Sequence, residues 1–172
     1  MEAVIFGAFG LIIGSFLNVL ILREGSDRTI LGRSSCMSCG AKLAWFDLIP
    51  VASWISLWGR CRYCGRGISL QYPLIEVLTA VLFAFVGFSA VPLIQKILGV
   101  LIVSLFVAIT VYDLYHTLIP DRWSYGAAAL SFIYGFFAFA GSNFTSMVFS
   151  GPIAALPLFF LWFVSRGRWM GL

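Results

Sequence analysis

The sequence predicts an all-α polytopic membrane protein, with about five transmembrane helices and a small cytoplasmic insert after the first. Three observations predict it. Of the 172 residues, 61% are hydrophobic and only 10% are charged, against roughly 45–50% apolar and about 25% charged in an ordinary soluble domain. Apolar stretches recur that approach or exceed the length of about 20 residues needed to cross about 30 Å of hydrocarbon. The basic residues, in turn, gather in one polar segment between the first and second of these stretches.

The first apolar stretch, Val4 to Leu22, lies between Glu2 and Arg23. It lacks the basic start and small-residue cleavage site of a secretory signal, so residues 1–22 are read as a retained helix. The second stretch follows Pro73 and continues to Ile94, and the third runs from Ile97 to Tyr112, where Asp113 closes it. Two more are expected from about Trp123 to Ala140 and from about Met147 to Val164.

Residues 23–72 carry Arg23, Arg28, Arg33, Lys42, Arg60, Arg62 and Arg66 against Glu24, Asp27 and Asp47. Short basic loops stay on the cytoplasmic side, so this insert is expected there. Alternation then places Lys96 outside and Asp113, Asp121, Arg122, Arg166 and Arg168 inside. Membrane topology thus accounts for the net charge of +4, and no nucleic-acid partner is needed to explain it.

An insert of this size is too small to build a strong core alone. Cys36 and Cys39 form one C-x-x-C pair, and Cys61 and Cys64 form a second after 21 intervening residues. Gly40 and Gly65 follow the pairs directly and permit tight turns that aim two sulfurs at one ion. The pattern is zinc-ribbon-like, with a spacing just beyond the usual range. Four thiolates make a closed, structural zinc site. Disulfides or redox chemistry are the other readings, and a reducing cytoplasm argues against disulfides. Between the pairs, Val51, Trp54, Ile55 and Trp58 share one helical face after Pro50 and before Gly59. That stripe would either lie in the lipid headgroups or form the insert's own core.

Gly14, Ser15 and Asn18 put small and polar groups near the cytoplasmic end of the first helix, a pattern that suits helix packing and leaves substrate contact as the other reading. Glu76 is expected in the first turn of the second helix, where the helix dipole favours a carboxylate; binding is its alternative role. Asp113 is the more demanding residue, because an ionisable group at the end of so apolar a run is a functional candidate by default. Two adjacent carboxyls can share acid and base work. Asp121 lies about 12 Å along a continuous helix, but Pro120 breaks the helix and the next helix dipole explains Asp121 without catalysis. His116 has no second ligand or nucleophile to act with and is read as a local hydrogen-bonding residue.

In order along the chain stand G-S-F-L-N-V at Gly14 to Val19, R-S-x-C-x-x-C at Arg33 to Cys39, and W-F-D-L-I-P-V-x-S-W at Trp45 to Trp54. They are followed by G-R-C-R-Y-C-G at Gly59 to Gly65, Q-Y-P-L-I-E at Gln71 to Glu76, and D-x-x-x-x-x-I-P-D at Asp113 to Asp121. In this order the sequence resembles the type IV prepilin peptidases, membrane aspartic proteases of the bacterial inner membrane that process pilins and type II secretion pseudopilins. The resemblance implies an eight-helix enzyme whose catalytic pair is Asp113 and the aspartate of a later G-x-G-D motif. The pair would activate water at the cytoplasmic face against the bond that ends a short basic leader. The resemblance also implies, for members with this cysteine insert, methylation of the new amino terminus with S-adenosylmethionine. Residues 73–172 would then be the amino-terminal part of the peptidase domain. The sequence ends at Gly171 and Leu172, where the G-x-G-D motif would begin. The expectation is therefore a truncated member that does not cleave prepilin alone. A stand-alone methyltransferase remnant and a noncatalytic zinc-containing membrane scaffold are the alternatives.

Overall fold

The computed structural model describes residues 1–24, 32–139 and 144–165. Asp27 and Arg28 of the insert, and Arg166, Arg168, Met170, Gly171 and Leu172, lie outside the described residues. Among those described, regular structure is helical: α1 (Glu2–Arg23), a 3-10 turn (Trp45–Leu48), α2 (Ala52–Ser56), α3 (Gln71–Phe88), α4 (Leu93–His116), α5 (Asp121–Phe139) and α6 (Phe144–Ser165). Three of them, α1, α3 and α4, are long and apolar enough to cross a membrane. They fit a multi-pass membrane protein. The remaining two expected spans are helices as well, but α5 and α6 are not among those three.

The boundaries shift where proline and turn chemistry act. The stretch expected to run to Ile94 stops at Phe88, because Pro92 caps the start of α4 and Ser89 is extended. A run of apolar residues does not reveal such a break, since both sides of it are equally hydrophobic. In α3, Pro73 occupies the first turn, where its missing N–H would have had no partner. The helix starts earlier, at Gln71, and Glu76 consequently falls in the second turn.

The chain divides into two compact units, Met1–Leu130 and Ser131–Leu172. In the first, α1 lies directly on α3. A Cβ at Gly10 would stand 2.7 Å from the Cα of Ala80, and one at Gly14 would stand 2.7 Å from the Cα of Glu76. Only glycine lets the two backbones approach this closely, the usual device for helix association in lipid. Asn18 is fully buried in the same seam and donates from Nδ2 to the Gly14 carbonyl and to the Tyr72 carbonyl, each at 3.2 Å. Leu17, Ile21, Ile75, Val107, Ala108, Val111 and Trp123 close the core between α1, α3, α4 and the start of α5.

Ion pairs tie the helix ends. Lys96, buried at the start of α4, donates to Glu2 and, at 3.1 Å, to the Gly87 carbonyl. A basic residue on the sparsely charged side is thereby neutralised. At the other end Arg122 donates to Glu24, which joins the end of α1 to the beginning of α5. The second unit holds the end of α5 and α6, the latter with Pro152 and Pro157 inside it.

Candidate functional site

The two cysteine pairs are built as two copies of one turn. The N–H of Gly40 donates to the Cys36 carbonyl, and that of Gly65 to the Cys61 carbonyl, both at 2.9 Å. These glycines have φ of +70° and +71°, a left-handed backbone that a side chain would strain. Each turn is closed by a return contact: Cys36 N–H donates to Ala41 at 2.9 Å and Cys61 N–H to Arg66 at 2.8 Å. Isolated bridges pair Ser35 with Lys42 and Arg60 with Gly67. The result brings all four Sγ atoms within 4.8 Å of one another, with Cys36 and Cys64 3.9 Å apart.

All four cysteines are free thiols, and they could hold one metal ion. Tetrahedral zinc with Zn–S bonds of about 2.3 Å places sulfurs about 3.8 Å apart, so the donor set fits. The backbone N–H groups of Cys39 and Ser38 lower the Cys36 thiol to about 6. At Cys64 the Arg66 N–H pulls downward, but burial and the neighbouring thiols prevail and raise it to about 11.

The residues between the pairs brace the cluster and explain their long spacing. Asp47, with a side chain only 3% exposed, accepts from Arg62 at 2.8 Å, from the Ala44 N–H at 3.1 Å and from the Tyr63 hydroxyl at 3.2 Å. Burial pushes its carboxyl upward, yet these donors and the Arg62 charge together hold it below its ordinary value. Trp54 donates its Nε1 to the Ile68 carbonyl at 3.2 Å. Its ring lies where a Cβ on Gly59 would sit, 2.7 Å away. The expected apolar stripe is therefore divided: α2 spans only Ala52–Ser56, Trp54 turns inward, and Ile55 and Trp58 stay exposed.

Val51 occupies φ +59°, ψ −50°, and the Ala52 N–H reaches back to the Pro50 carbonyl at 2.5 Å. This is a γ-turn of the strained hand; such backbone costs about 1–3 kcal/mol and persists only where its surroundings impose it. Here the Val51 N–H donates to Glu76 Oε2 at 2.7 Å. Glu76 is 6% exposed. It forms part of the wall of a cleft of about 480 Å³ between the cysteine unit and the adjoining ends of α1 and α3. Reasoning from sequence missed Val51 and Asp47 in this arrangement. No local pattern announces a strained turn at a β-branched residue.

Asp113 stands in the last turn of α4 and is exposed. Thr117, at φ +52°, ends the helix and donates its N–H to the Asp113 carbonyl at 2.7 Å. The His116 ring stacks on Tyr112 with centroids 4.1 Å apart, and Tyr112 meets Trp123 edge-on at 5.5 Å. Asp121 begins α5 and is exposed. The Arg122 contact to Glu24 brings this α4–α5 connection to the same end of the bundle as the insert.

Residues 8–90 match the family described as Bacterial Peptidase A24 N-terminal domain. The chain is 42% identical over 119 residues to a prepilin leader peptidase/N-methyltransferase of Myxococcus xanthus, an alignment covering 69% of this chain and 36% of that protein. A protein of the same name from Aeromonas hydrophila is 35% identical over 139 residues, covering 66% of this chain and 48% of that protein. One from Bacillus subtilis is 37% identical over 115 residues, covering 66% and 46%. The chain thus spans about a third to a half of the length of these relatives. No solved structure gives a significant match. Residues 8–90 are thus similar to the A24 amino-terminal domain, and about two thirds of the chain is similar to proteins named prepilin leader peptidase/N-methyltransferase.

Proposed function

We propose that this chain contributes the zinc-bearing amino-terminal domain and the first catalytic aspartate of a prepilin leader peptidase, an aspartic endopeptidase that also methylates the amino terminus it exposes. In this reading residues 1–22 are the first span, residues 23–72 the zinc insert, and residues 73–172 the amino-terminal part of the peptidase domain. The protein would reside in the bacterial inner membrane with its insert and Asp113 at the cytoplasmic face. Its substrates would be prepilins and pseudopilins. The observation that carries this reading is the similarity to three proteins of that name over about two thirds of the chain, together with the meeting of insert and α4–α5 connection at one end of the bundle.

Zinc held by Cys36, Cys39, Cys61 and Cys64 is structural here, because four thiolates leave no open coordination position. Asp113 supplies one carboxylate of a pair that takes a proton from water as it attacks the scissile carbonyl and returns one to the leaving amine. The two acids would titrate as a unit. S-adenosylmethionine would supply the methyl group. The substrate's apolar helix would enter from the bilayer, leaving its basic leader in the cytoplasm and the cleaved bond at the surface between them.

The test is to produce the full-length gene product in membranes and incubate it with a pilin-type precursor. Mass spectrometry should show loss of the leader and gain of one methyl group at the new amino terminus. A methylated product without cleavage of intact precursor would instead favour the stand-alone methyltransferase. Absence of both products would favour the noncatalytic scaffold.

A further inference from the structure

Glu76 is a carboxylate taken almost wholly out of water, and the described ion pairs join Arg62 to Asp47, Lys96 to Glu2 and Arg122 to Glu24, none of them reaching it. Its donor among the described residues, the Val51 N–H, is neutral, and the Ser15 hydroxyl lines the same cleft. A buried carboxylate held only by neutral donors lacks the opposite charge that would compensate its desolvation. The cleft it lines, about 480 Å³, is of the size that takes a small molecule. Val19 and Leu48 give that cleft apolar surface, Trp54 and Tyr72 give it aromatic surface, and Arg23, Arg62 and Arg66 add cationic side chains, of which Arg62 is paired with Asp47. The strained Val51 turn fixes one donor against Glu76, so this part of the wall is preorganised.

We propose that the cleft is the methyl-donor site, binding a zwitterionic sulfonium whose cationic sulfur faces Glu76 and whose carboxylate faces Arg66. The inference rests on the methyltransferase reading above. An ammonium would bring several N–H groups that each need an acceptor, and Glu76 already accepts from the Val51 N–H among largely apolar neighbours. A sulfonium carries charge without N–H donors and suits aromatic surface. In the transfer, the nitrogen lone pair of a neutral amine attacks the methyl carbon. The C–S bond breaks as the C–N bond forms, and the positive charge passes from sulfur, now a neutral thioether, to nitrogen.

The experiment is equilibrium dialysis of the zinc-loaded chain in detergent micelles against labelled S-adenosylmethionine, with S-adenosylhomocysteine as the neutral competitor. Saturable binding is expected at one per chain, with the neutral analogue at least tenfold weaker. Glu76→Gln, which keeps an acceptor for Val51, should abolish that preference, whereas Arg66→Ala should weaken both ligands equally. Zinc content and helical circular dichroism check that each variant is folded. No saturable binding to zinc-loaded wild type, or an undiminished preference in folded Glu76→Gln, would overturn the site. Methylation by the full gene product alongside either of those results would sink this location and leave the activity intact. Glu76-dependent binding without methylation would support the site and count against the activity.

Discussion

Replacing Gly10 by alanine should loosen the α1–α3 seam, although alanine is the better helix former. The built methyl group would lie 2.7 Å from the Ala80 Cα, 2.8 Å from the Thr79 carbonyl oxygen and 3.0 Å from the Ala80 nitrogen. These are backbone atoms of a packed helix and have no rotamer by which to retreat. Ordinary carbon contacts lie at about 3.5–4.0 Å, so the helices must part by about 1 Å. That movement would also break the 3.2 Å bond from Asn18 to the Tyr72 carbonyl, a loss of about 0.5–1.5 kcal/mol. Overpacking adds about 1–3 kcal/mol. The opposing gain in helix propensity is about 0.8–1.0 kcal/mol, so the net effect of these terms is a destabilisation of about 0.5–3.7 kcal/mol. Gly126→Ala is the control, because its methyl group would meet only the flexible end of Leu105 at 3.5 Å; propensity should win there. Unfolding titrations with dodecyl sulfate in mixed micelles, followed by circular dichroism, measure both. A Gly10→Ala variant as stable as wild type or more so would refute the seam.

Cys61→Ser should lower the zinc content of the purified chain and render residues 32–70 sensitive to protease, while α1, α3 and α4 keep their helical signal; elemental analysis and limited proteolysis report these separately. Zinc affinity should rise with pH above neutrality, because Cys64, raised to about 11, must give up its proton on binding. Cys36, lowered to about 6, is already a thiolate there and adds slope only near and below that value. Titration calorimetry in buffers of different ionisation enthalpy counts the protons released, and an affinity unchanged between pH 7 and 9 would contradict this. Trp58 is 88% exposed, and a variant retaining it as the sole tryptophan should be quenched by lipids brominated near the headgroup if this segment lies on the bilayer. No quenching would assign the segment to water.

The all-α membrane class was legible because composition and long apolar runs report directly on the solvent a chain is built for. The cysteine cluster was legible for a related reason: C-x-x-C followed by glycine encodes a turn geometry within five residues, and the fold brings the two turns together. The break between α3 and α4 was not, since Ser89 to Pro92 interrupts hydrogen bonding without interrupting hydropathy. Glu76 read as a helix-start carboxylate because its partner, Val51, is distant in sequence. Asn18 and Gly14 were visible as small and polar groups on α1, whereas the backbone of α3 against which they pack was not. The turn at Val51 had no signature at all, being imposed by contacts on both sides.

The central claim is that Asp113 performs hydrolysis, and the most direct measurement compares leader cleavage by the full gene product with that of its Asp113→Asn and Asp121→Asn variants, at equal zinc content. Asp113→Asn should reduce the cleavage rate at least about 10²-fold, the scale of a lost acid–base group, while Asp121→Asn retains most of it. Unimpaired cleavage by the Asp113→Asn enzyme would contradict the account.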